Sequence, residues 1–169
     1  MIKIGYSLIT EEHPPERLLE HAKQAEKTGF SHLVVSDHFH PWLSSQGHSP
    51  FVWNILGALS VVTDSIEIGT AVTCPIRRYH PAIVAQAAAT TARMLEGRFH
   101  LGVGSGEALN ESIMGRHWPD TDTRHEMLAE AVAMIRELWT GKTTTIHGKH
   151  FQVENATIFT LPETAPPIY

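Results

Sequence analysis

The sequence predicts an α/β fold of the (β/α)8 TIM-barrel type, with about half a barrel in this chain. Three observations predict it. Strand-length apolar runs alternate with helical patterns, which argues for a parallel sheet. Four such βα units carry short polar loops after their strands. The chemically loaded segments follow three strands in succession: "SDHFHPW" after the second, "AVTCP" after the third and "GVGSGEALNE" after the fourth. A barrel brings all those ends to one face. A doubly wound sheet would gather them at a switch point instead.

The elements follow in order. Residues 2–8, "IKIGYSL", read as the first strand. Residues 14–29 place Leu18, Leu19, Ala22 and Ala25 at helical spacing and stop at Gly29. Residues 31–37, "SHLVVSD", give the second strand, and 50–63 a mostly buried helix. Residues 65–72 give the third strand. Residues 80–97 open on proline and close on glycine, the asymmetry of a helix. Residues 98–104 give the fourth strand. A helix over 122–140 follows, with its cap placed at Thr121 to Thr123. Residues 143–159 hold two β-rich runs around "HGK" and predict a hairpin, and "APPIY" predicts the start of a fifth strand.

The chain has 169 residues, of which 42% are hydrophobic and 18% charged, enough for one sizeable core. A whole barrel needs about 250 residues. The sequence is therefore expected to be a fragment, or to have its open sheet edge covered by another chain, with a homodimer the expected assembly. The formal net charge of -5 leaves no basic footprint for nucleic acid or an anionic membrane. No apolar run approaches the roughly 20 residues that span a bilayer. The start has no signal-peptide layout, and the single cysteine suits a reducing cytosol, so a cytoplasmic location is expected.

Asp37, His38, His40 and Trp42 end an apolar run, which is a poor way to build a core. His38 is the candidate proton acceptor at neutral pH, with Asp37 in support. Trp42 offers a flat surface or an N–H donor. His38 and His40 also form an H-x-H that could ligate a metal, the signal for a metal-dependent hydrolase. The loop 102–111 holds Gly102, Gly104 and Gly106, which let backbone approach a ligand closely. Glu107 and Asn110 lie just beyond. Cys74 reads as a packed small residue rather than a nucleophile. Arg77 and Arg78 read as anion contacts or as solvated side chains. Glu11 and Glu12 lie in the loop after the first strand, where a glutamate could tune a histidine or be solvated.

Together "SDHFHPW", "TCPIRRYHPAIVAQ", "LGVGSGEALNE" and "GKHFQVENATIF" resemble the luciferase-like monooxygenase superfamily. More narrowly they resemble its coenzyme F420-dependent branch, which includes sugar-phosphate and secondary alcohol dehydrogenases. The resemblance covers the N-terminal half of such an enzyme. It implies a deazaflavin in the C-terminal mouth of the barrel, accepting a hydride at C5 from an alcohol carbon of a small-molecule substrate. It implies that His38 is the general base, that Trp42 lies against the reacting centre and that Glu107 works near N1 of the ring. Glu11 would modulate His38. Asp37, Cys74, Gly106 and Asn110 would fall among the cofactor-binding positions. So would Ala71 and Val72, joined by a non-proline cis peptide. The "VTCPI" string leans towards the alcohol dehydrogenases. An FMN-dependent relative, the metal hydrolase and a non-catalytic half-barrel remain the alternatives.

Overall fold

The computed structural model describes residues 3–169. Ile2, included in the expected first strand, lies outside the described residues. The order is β1 (Gly5–Leu8), α1 (Pro15–Lys27), β2 (His32–Val35), α2 (Val52–Val62), β3 (Glu67–Thr70), α3 (Pro81–Met94), β4 (Phe99–His100), α4 (Ala108–Glu111), α5 (Thr121–Leu138), β5 (Thr144–His147) and β6 (Gln152–Ala156). Strands β1 to β4 form one parallel sheet in sequence order. Parallel neighbours need a crossover, and the helices supply it.

Each helix forms for a readable reason. Helix α1 has proline in its first turn and buries Leu18, Ala22 and Ala25. Fully burying a leucine such as Leu18 contributes about 1.5–3 kcal/mol. Gly29 follows it at a φ of 90°, a left-handed conformation glycine adopts without strain. Helix α2 was expected to be mostly buried. It buries only the stripe Val52, Ile55, Leu56 and Leu59, while Val61 is exposed. Helix α3 starts at Pro81, and the His80 side chain caps it by accepting from the Ala82 N–H. Helix α5 is capped by Asp120, whose carboxylate accepts from Thr123 N–H at 2.9 Å. The expected threonine cap is thus corrected by one position; a carboxylate accepts the free N–H groups of a first turn well.

The fourth strand is far shorter than expected. The Thr70 side chain enters the ladder there, donating to Gly102 O at 2.7 Å and accepting from Gly102 N–H at 3.1 Å. Regular pairing ends, and single bridges continue from Thr73 to Val103 and from Leu101 to Ile168. Leu101 N–H donates to Pro167 O and Val103 N–H to Tyr169 O, both at 2.9 Å. A fifth parallel strand therefore begins beside β4, as the sequence predicts.

The hairpin β5–β6 is antiparallel. The Glu130 carboxylate on α5 ties it down, accepting from the backbone N–H of Lys149, His150 and Phe151. The core lies between the sheet and its helices, with Leu8, Leu33, Val35 and Ile68 on one side and Leu18, Leu56, Leu59 and Val84 on the other. This is the first half of a (β/α)8 barrel. The loops at the C-terminal ends of its four strands come together at one end.

Candidate active site

Those loops converge because parallel strands share a direction. Leu8 pairs with Val35, which sets the loop after β1 beside the loop after β2. Ser36 then reaches across the gap. Its hydroxyl donates to Glu11 Oε2 at 2.7 Å, and the Thr10 hydroxyl lies 2.9 Å from Ser36 Oγ. Glu11 is 2% exposed, so the carboxylate sits in a pocket of hydroxyl groups.

His38 closes that pocket. Its Nδ1 lies 2.5 Å from Glu11 Oε1, and its side chain is 14% exposed. Nδ1 makes no well-aligned hydrogen bond, but the short contact sets it against the carboxylate. Burial alone would raise the Glu11 carboxyl, but its contacts with His38 and Ser36 outweigh this and hold it down to about 2. Burial alone would lower the His38 imidazole. Glu11 reverses the sign, with Glu107 and Asp37 adding to its field, and the imidazole stands above its ordinary value.

Trp42 packs edge to face on His38, with ring centroids 5.0 Å apart, and is itself exposed. The chain between them is held from below by Asn110. Its Oδ1 accepts from Phe39 N–H at 2.6 Å and from His40 N–H at 2.7 Å, and its amide donates to Glu107. Asn110 belongs to α4, a short helix where the sequence predicts a loop, and Glu107 is the N-cap residue at its start.

Asp37 faces away from His38 and does not support it directly. It is buried, and Oδ2 accepts from the Thr73 hydroxyl at 2.7 Å. Oδ1 accepts from Arg78 Nη2 at 2.9 Å and from the Tyr79 hydroxyl at 3.0 Å. Arg78 is neither solvated nor open to an incoming anion. Its side chain is 6% exposed and also meets Glu111. Sequence reasoning missed Arg78, Tyr79 and Glu111 as members of one cluster. The available signal was the second acid in "GEALNE", one residue beyond Asn110.

Ala71 and Val72 are joined by a cis peptide, as expected. Both are exposed between the buried Thr70 and Thr73, so they form a small apolar platform at the mouth. Gly104 lies beside it and leaves room for the Val72 side chain, since a Cβ there would meet Val72 Cγ2 at 2.6 Å. Gly106 has φ +70°, and a Cβ there would meet Cys74 Sγ at 2.5 Å. Cys74 is buried, and its thiol is pushed well up by burial and by Glu111, so it packs rather than attacks. His40 is exposed, and among the described residues no group of three His, Cys, Asp or Glu side chains is placed to hold a metal. No helix among the described residues is long and apolar enough to cross a membrane.

A half-barrel whose strand-end loops gather a histidine, a buried glutamate and an apolar platform defines an α/β enzyme-type mouth. Residues 1–169 match the luciferase-like monooxygenase family, and the chain belongs to that family. It is 43% identical over 168 residues to an F420-dependent glucose-6-phosphate dehydrogenase of Microbacterium testaceum, covering 99% of this chain and 50% of that protein. It is 42% identical to an F420-dependent hydroxymycolic acid dehydrogenase of Mycobacterium tuberculosis, covering 98% of this chain and 46% of that protein. A solved F420-dependent secondary alcohol dehydrogenase, in complex with an F420-acetone adduct, superposes with a TM-score of 0.95 at 42% identity, over 99% of this chain and 51% of that one. The chain spans about half the length of the relatives it matches.

Proposed function

We propose that this half-barrel belongs to an F420-dependent oxidoreductase that oxidises an alcohol carbon, with His38 as the general base. The observation that carries the reading is the His38–Glu11 pair at the mouth. Glu11 is ionised at neutral pH and buried. With Nδ1 turned to Glu11, Nε2 is left to take a proton.

The residues fit the cofactor. The exposed Ala71–Val72 platform offers a flat ring an apolar seat between buried neighbours. Trp42 and Glu107 flank that mouth, and Glu107 is the acidic group available to the ring edge that gains charge on reduction. Coenzyme F420, when bound, supplies the carbon that accepts the hydride. His38 Nε2 takes the hydroxyl proton as the hydride leaves the adjacent carbon, and the alcohol becomes a carbonyl. Glu11 stabilises the imidazolium so formed, and Trp42 limits the tilt of the ring. The identities of the relatives support a secondary alcohol or a phosphorylated sugar as substrate.

The test is His38→Ala in the intact protein, assayed with isopropanol and glucose 6-phosphate against F420 and FMN. Turnover should fall by roughly 10²–10⁴ with F420 affinity retained. Unchanged turnover would remove His38 from the role. Turnover with FMN in place of F420 would overturn the cofactor.

A further inference from the structure

Arg78 carries a charge that the chemistry above does not use, and it lies under the mouth rather than in it. Burying a guanidinium is costly unless every face is matched. Here the faces are matched from the loop after β2, from the adjacent Tyr79 and from α4. Nη2 donates to Asp37 O at 2.8 Å and to Asp37 Oδ1 at 2.9 Å. Nη1 donates to the Tyr79 hydroxyl at 2.8 Å. The Arg78 backbone N–H donates to Glu111 Oε2 at 2.8 Å, and Nε lies 3.4 Å from Glu111 Oε1.

The targets are specific. Asp37 O belongs to the peptide that leads into His38. Glu111 lies on α4 next to Asn110, which grips the N–H groups of Phe39 and His40. The imidazole is thus bracketed. Arg78 holds the peptide before it directly and the peptides after it through α4.

We propose that Arg78 is the positioning residue of His38, locking the loop after β2 to α4 so that the imidazole stands against Glu11. This rests on the reading of His38 as base. Three carboxylates act on His38: Glu11 from the loop after β1 by direct contact, and Glu107 at the start of α4 and Asp37 on its own loop through their fields alone. A shift of the His38 loop changes the interaction with Glu11 most, because that pair is in direct contact and Coulomb energy varies most steeply at short range.

The experiment uses Arg78→Lys and Glu111→Gln in the intact protein. The His38 ring is titrated by NMR, its signal assigned by its loss in His38→Gln. A lysine ammonium cannot span Asp37 and Glu111 together. In Arg78→Lys, His38 should titrate nearer the ordinary value of 6.5. Turnover should drop about 10²-fold, as a misplaced catalytic group does, with the KM for cofactor changing less. Glu111→Gln should move the titration in the same direction by less. A role confined to stability would lower the melting temperature and leave the titration in place. An unmoved His38 titration in both folded variants overturns the proposal, and if Arg78→Lys does not fold, Glu111→Gln decides alone. Failure of His38 as base would appear separately, as turnover surviving in His38→Gln.

Discussion

His38 Nδ1 stands 2.5 Å from Glu11 Oε1, and the carboxylate is the more deeply buried partner. A buried anion against a less buried imidazole favours the charged form of each. The Glu11 carboxyl, ordinarily near 4.5, is held to about 2, so its contribution to stability is complete above 4.5 and is lost as pH falls towards 2. The His38 imidazole is raised, so its contribution is present below its ordinary 6.5 and is lost as pH rises through the higher folded value. The Glu11 shift corresponds to roughly 3 kcal/mol. Glu11→Gln should therefore flatten the acid side of the stability curve, measured by urea unfolding between pH 2 and 5. It should also move the acid limb of activity to lower pH, because the base His38 then loses its proton at a lower pH. A stability curve of unchanged slope would mean that the pair is not ionic.

Asn110 ties the His38 loop to Glu107, and its two ends can be separated. Asn110→Asp keeps the acceptor for Phe39 and His40 N–H but removes the donor to Glu107 and adds a second negative charge. Asn110→Ala removes both. The alanine variant leaves two part-buried amides without their acceptor and should lose about 1–3 kcal/mol in denaturant titrations. The aspartate variant should lose less stability and yet bind F420 more weakly. Equal stability losses would show that the acceptor contacts contribute little.

Cys74 lies under the glycine loop with its thiol pushed up by burial. The native protein should resist a thiol-reactive dye over hours and react fully once unfolded in guanidinium. Fast labelling of native protein would mean that the loop over Gly106 opens readily.

Glu130 receives three backbone N–H groups of the hairpin. Glu130→Ala should cost roughly 2–3 kcal/mol locally and raise hydrogen exchange at residues 149–151, while leaving β1 to β4 protected. Uniform loss of protection across the sheet would show that hairpin and sheet unfold as one unit.

What could be read from the sequence was periodic or local. Strand and helix alternation, Pro81 at a helix start, Gly29 at a helix end and the hairpin turn each depend on neighbours in the chain. The half-barrel, and the gathering of Glu11, His38, Glu107 and Asn110 at one end, followed from that alternation together with a resemblance carried by short motifs. Strand lengths did not follow, because Thr70 breaks the fourth strand through a contact with Gly102 that no local pattern encodes.

The sequence by itself thus determined the class of fold and which loops share a face, since hydrophobic period and strand direction are properties of the chain. The resemblance already implied Glu11 as the partner of His38, and only the tertiary structure decided that Asp37, read as its support, is withdrawn. Glu11 meets His38 because β1 and β2 pair in one register. Asp37, its neighbour in sequence, is turned away to Thr73, Tyr79 and Arg78. Pairing of charges depends on distance in space, and a sequence specifies that distance only after the sheet has formed.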